Sequence, residues 1–248
     1  MAFKSDGYRT VNEIFQVAAD CYVGQVVIAD ANAGGLVEPV AAAAAGPDTA
    51  SRIVGCVNSV VTSPTYDSTY KGDLATYDTT QATQVANEPV GAALVRVDVL
   101  FPGDIVCFPI VKDTIGTAPE RKACTTGSTD GLTFVVATID TTVSQNSTVY
   151  CSKGANRGVA RKVTTGATTT QTVLAAFPYD IAVGDEFVIV NLVQGLTKFD
   201  FDTQFQGVDS SIPYTSNYYW GFCHQMELQK SGEEKAYITI GARHLAMY

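Results

Sequence analysis

Apolar positions along this chain fall in short runs bounded by Gly, Pro, Asn, Asp and Ser, and few stretches carry helical spacing. Such runs predict strands. They lie at residues 25–29, 36–40, 52–61, 74–77, 90–100 and 105–111, with Gly55 as a bulge and a break at Pro109. The run from Ala93 to Leu100 alternates at its centre, which sets Arg96 and Asp98 on one face. Residues 1–20 fit a short helix through Val11, Ile14, Phe15 and Ala18 equally as well as a strand face through Val11, Phe15 and Val17. Beyond Lys112 the texture turns to Thr-rich runs at 132–139, 148–152, 158–164 and 170–175, punctuated by Gly127, Gly131, Gly154 and Gly166. Thr suits a half-exposed pleat, so these runs predict an antiparallel meander. Another strand is expected within 181–192, and a hairpin from 221–228 and 235–240 turns around Lys230 to Glu234. Residues 194–219 show no clear period and read as a long ordered loop or edge.

A turn phrase precedes several of these runs: Gly, then Asp or Gln, then apolar residues. It begins at Gly24, Gly72, Gly103 and Gly184, at unequal intervals, so it is a reused turn device and not a solenoid period. Strands at this density with turn signals between them predict an all-β fold, an antiparallel barrel or sandwich with little helix. The shift in composition places a boundary near Lys112. It divides the chain into a barrel-like domain, 1–112, and a β-rich second domain or elaboration, 113–248, ending in the hairpin.

The chain has 248 residues, of which 17% are charged, with a net charge of −9. So acidic a surface does not suit broad phosphate contact, which excludes a nucleic-acid partner. The charge is uneven: from Lys112 to Lys162 there are seven basic residues against four acidic ones. This stretch reads either as solvated loop charge or as a local basic face for an acidic partner. The first residues carry no apolar leader and no run reaches membrane-spanning length, so the expected site of synthesis is the cytoplasm, with no membrane partner. The six cysteines form no C-x-x-C pair and several sit in apolar runs, which predicts buried free thiols. Asn146-Ser147-Thr148 matches a glycosylation sequon and reads as chance.

Candidate chemistry is sparse. His224 and His244 are the two histidines, and Cys223 and His224, as strand neighbours, point to opposite faces. No metal site, catalytic triad, nucleotide loop or cofactor is therefore expected. Asp200 and Asp202, with Asp209 beyond, could form a calcium loop. They fit equally a solvated alternation with Phe199, Phe201 and Phe205 inward. The aromatic cluster Tyr214, Tyr218, Tyr219, Trp220 and Phe222 fits a minicore beneath a loop, a subunit or partner interface, or a sugar platform. With Arg157, Arg161 and Lys162 it forms the set of interface candidates.

Residues 19–30, Gly34 to Pro39 and Arg52 to Val57 together resemble the decoration, or cement, proteins of tailed-bacteriophage capsids. Gly158 to Thr164 and Ala176 to Asp185 resemble segments of phage structural proteins. The resemblance implies a non-catalytic virion protein on the capsid surface. Its implied partners are the major capsid protein and other copies of itself, as a homo-oligomer such as a trimer. Contacts are expected through the N-terminal segment and the 214–222 region. Two alternatives remain on the residues alone: a tail or fibre module that binds surface glycan through the aromatic cluster, and a β-rich hydrolase using acidic residues.

Overall fold

The structure, a computed structural model, describes residues 11–18, 23–29, 36–40, 52–62, 94–112, 119–139, 147–201, 207–209 and 219–246. The expected strand at 74–77 and residues Tyr214 and Tyr218 lie outside them. The described residues form sixteen strands, no α-helix and one short 3-10 turn at Ala242–His244. They close into three barrels.

The first barrel takes β1 (Val11–Val17), β2 (Val26–Ala29), β3 (Leu36–Pro39), β4 (Ile53–Thr62) and β5 (Leu94–Val99), in the order β1-β3-β2-β4-β5 around the wall. Within the ambiguous N-terminal segment, Val11–Val17 is thus a strand, paired with β5 from Val11 to Gln16. Val17, Val27, Val37, Val54, Val57, Val95 and Val97 fill the core, as β-branched side chains on a pleated surface should. The register of β2 on β4 slips between Val27 and Ile28, next to Gly55. Glycine is obligatory there: a Cβ would stand 2.0 Å from the Asp98 carbonyl oxygen across the sheet.

The second barrel takes β7 (Arg121–Thr126), β8 (Thr133–Val136), β9 (Thr148–Lys153), β10 (Ala160–Gly166), β11 (Thr170–Val173) and β12 (Glu186–Val190), in the order β7-β8-β11-β10-β9-β12. This corrects the meander, because β8 pairs with β11 and β9 with β12 across non-consecutive connections. It also adds β7, whose Lys, Arg and Thr content hid it from hydropathy. Phe134, Phe177 and Phe187 stack at the centre, with ring centroids 4.5 to 6.0 Å apart.

The third barrel takes β6 (Ile105–Val111), β13 (Gly195–Phe201), β14 (Val208–Asp209), β15 (Tyr219–Glu227) and β16 (Lys235–Ile240), in the order β6-β14-β13-β15-β16. Residues 195–201 are therefore a paired strand and not part of a loop. Phe199 and Phe201 point inward as expected, their rings 5.4 Å apart. β6 runs straight through Pro109. The Ile110 amide donates to the Glu234 carbonyl at 2.8 Å, so the ladder resumes one residue later and only one donor is lost. Among the described strand pairs with a register, two are parallel, β1 with β3 and β6 with β14. The other registered pairs are antiparallel, such as β2 with β4.

The chain divides into two compact units, 1–107 with 239–248, and 108–238. The division differs from a cut at Lys112 because the C-terminus returns to the first unit. Leu245 bridges to Ile53 there, and the Ala246 amide donates to the Ile53 carbonyl at 2.6 Å.

Candidate interaction surface

One end of the second barrel gathers three connections. β7 and β9 finish there, β8 and β10 start there, and the 174–185 crossover joins β11 to β12 across it. The connections are stitched to each other. Ser128 and Ile181 exchange backbone hydrogen bonds at 2.9 and 2.8 Å, and the Phe177 amide donates to the Gly131 carbonyl. Buried Asn156 accepts from the Tyr179 amide at 3.0 Å and donates to the Tyr179 carbonyl at 2.9 Å. Asp185 accepts from the Ala182 amide and so holds the Val183-Gly184 turn, with Gly184 at φ +92°. The Ser128 hydroxyl and the Leu132 amide both donate to Asp130 and hold its carboxyl below the usual carboxylate range.

On this braced end stand Leu174, Tyr179 and Val183, exposed at 67%, 63% and 71%, with Leu132 beside the same loops. Large apolar side chains left open on rigid backbone are what a partner surface requires. Sequence patterning did not reveal them, because Leu174 and Val183 fall in runs that read as strand, 170–175 and 181–192, and Tyr179 is a single aromatic between Pro178 and Asp180.

The basic candidates sort differently. Arg157 is exposed in the turn between β9 and β10, at this end. Arg161 is committed within the barrel: its guanidinium donates to the Ala176 and Ala160 carbonyls at 2.9 Å and lies 5.5 Å over the Phe177 ring. Lys162 is exposed on the opposite side of β10. Of the aromatic candidates, Tyr219, Trp220 and Phe222 lie on β15 of the third barrel. Tyr219 and Trp220 pair through the backbone with Phe199 and Lys198. Phe222 is 45% exposed, with its ring edge-on to His224 at 4.8 Å.

A charged brace joins the second and third barrels. Arg121 on β7 donates to the Glu234 carboxylate at 2.7 Å and to the Leu228 carbonyl at 2.7 Å. Glu234 is almost fully buried, and its other oxygen accepts from the Gly232 amide at 2.8 Å. Gln229 adds a donor bond to the Ser152 carbonyl at 3.3 Å.

Burial holds four of the thiols protonated. Burial drives Cys56 far above the ordinary thiol range, with Asp98 adding to it. Burial likewise raises Cys124 and pushes Cys151 and Cys223 up to about 11. Cys223 is buried while His224 is half-exposed, as opposite strand faces require. Among the described residues no three His, Cys, Asp or Glu side chains converge. The register does set Asp200 opposite Asp209 on paired strands.

Comparison with protein-family models, with curated proteins and with solved structures found no match.

Proposed function

We propose that this chain is a virion structural protein of the capsid-decoration type, which binds the outer capsid lattice and stabilises it by bridging major capsid protein subunits. The observation that supports it best is the braced apolar end of the second barrel. Leu174, Tyr179 and Val183 sit on loops whose backbone groups are already hydrogen-bonded to each other. Docking such a surface orders little further chain, so more of the buried apolar area appears as affinity. Closed barrels also leave no free sheet edge among their described strands. The contact expected of such barrels is side-chain packing rather than strand pairing. Summed over many lattice positions, modest contacts raise the free energy needed to separate capsid subunits.

The test is co-sedimentation with purified expanded capsids. Wild-type protein is expected to pellet with capsids and raise their melting temperature. Leu174→Ser with Val183→Ser is expected to lower binding at least tenfold while leaving the protein's own melting unchanged. Wild-type protein that ignores capsids would defeat the reading. A second reading, glycan binding, is favoured by the open Phe222–His224 ring pair on β15; retention on a glycan array, lost in Phe222→Ala, would replace the first.

A further inference from the structure

We infer that this chain contains one five-stranded barrel twice, and that the second copy was opened between its first and second strands to receive a complete, self-contained six-stranded barrel. The first and third barrels have the same wall order when their strands are numbered in chain order: first, third, second, fourth, fifth. Each has a parallel pair between its first and third strands and antiparallel pairs between second and third and between second and fourth. The registers agree as well. The last two residues of the seven-residue β1, Gln16 and Val17, pair with Leu36 and Val37, and the last two of the seven-residue β6, Ile110 and Val111, pair with Val208 and Asp209.

Local devices coincide with this alignment. Gly24 before β2 has φ +91° and Gly195 opening β13 has φ +101°. A glycine precedes the third strand in both copies, Gly35 and Gly207. The fifth strands, β5 and β16, bury the same alternate positions. Shared strand count alone would be weak evidence; shared order, parallel pair, register and turn glycine are independent features that one duplication explains together.

Between the first two strands the copies differ. The first copy uses eight residues, Ala18 to Gln25. The second carries all of β7 to β12. That insert enters and leaves through adjacent strands: Arg121 at the start of β7 pairs with Val188 near the end of β12, and the Ile189 amide donates to the Glu120 carbonyl. Lys112, just past β6, ion-pairs with Glu120 at 2.9 Å across the same neck. Neighbouring termini and a private aromatic core are what let a domain be inserted without breaking its host.

The test removes the insert. Residues 112–196 are replaced by the chain's own connector, Ala18 to Gln25, in a Glu234→Gln background because Arg121 leaves with the insert. The shortened chain is expected to keep a cooperative melting transition and the emission of Trp220. If it does not fold, hydrogen exchange on the full-length chain decides. Phe187→Ala is then expected to speed exchange at least tenfold within 119–192 and leave β13, β15 and β16 unchanged. Equal acceleration in those three strands, together with a deletion that does not fold, would overturn the inference.

Discussion

Truncating Phe134 to Ala tests whether the second barrel stands on its own core. The ring is buried, 4.5 Å from Phe187 and 6.0 Å from Phe177 between centroids. A buried Phe→Ala change costs about 3–5 kcal/mol in lost transfer energy and cavity. Losing two ring contacts adds roughly 0.5–1.5 kcal/mol each. The expected loss is therefore about 5 kcal/mol, against a typical domain stability of about 5–15 kcal/mol. At about 4–8 °C per kcal/mol for a domain of this size, the barrel's midpoint should fall by roughly 20 °C or more. Scanning calorimetry reads that transition. Trp220 is the chain's single tryptophan and lies on β15, outside the second barrel, so its fluorescence follows a different element. In a Glu234→Gln background, which removes the carboxylate that Arg121 braces, the calorimetric transition should drop while the tryptophan transition holds. A loss under about 1.5 kcal/mol would refute the packing argument, and a tryptophan transition that falls in step would refute the separate core.

The remaining expectations concern the brace, the sheet and the thiols. Arg121→Ala strands the buried Glu234 carboxylate without its cation, which should cost about 3–5 kcal/mol in urea denaturation; recovery of most of that loss in Arg121→Ala with Glu234→Gln is the check. Gly55→Ala should collapse the first barrel's melting transition, since its Cβ would meet the Asp98 carbonyl at 2.0 Å. Gly103→Ala, at φ +99° with open space around it, should cost only about 1 kcal/mol. Cys151 and Cys223 titrate near 11 when folded against an ordinary 9.0. Between those values the unfolded chain releases protons that the folded chain keeps, so stability should fall as pH rises from 9 to 11. Denaturation at fixed pH steps checks this, and a rise over that range would contradict it.

Much of the fold was legible because Val, Ile and Thr alternation and Gly-Asp turns act locally. β5 and β16 appear in the sequence as alternating runs, and their burial follows the same alternation. What escaped was set by partners distant in sequence. β7 reads as polar because Arg121 faces the Glu234 carboxylate, supplied from far along the chain. Pro109 read as a break because a lone sequence cannot tell which strand donors a neighbour will need. Of the interface candidates, Arg161 looked free in sequence but is held over Phe177. Nothing periodic marked the exposure of Leu174, Tyr179 and Val183, since loop placement and not hydropathy exposes them.

The long interruption between β6 and β13 has a consequence for synthesis. When β6 leaves the ribosome, the strand that begins its barrel's far wall, from Gly195, is still more than 80 residues from being made. At about 5–20 residues per second, that is a wait of roughly 4–17 s. For that interval a strand carrying Ile105, Val106, Phe108, Ile110 and Val111 is a template for pairing with any neighbouring nascent chain. Pro109 sits in the middle of that run and removes one donor from its edge. The expected effect of that missing donor is weaker strand pairing before the barrel exists. Pro109→Val should leave the finished barrel near its original stability while lowering soluble yield.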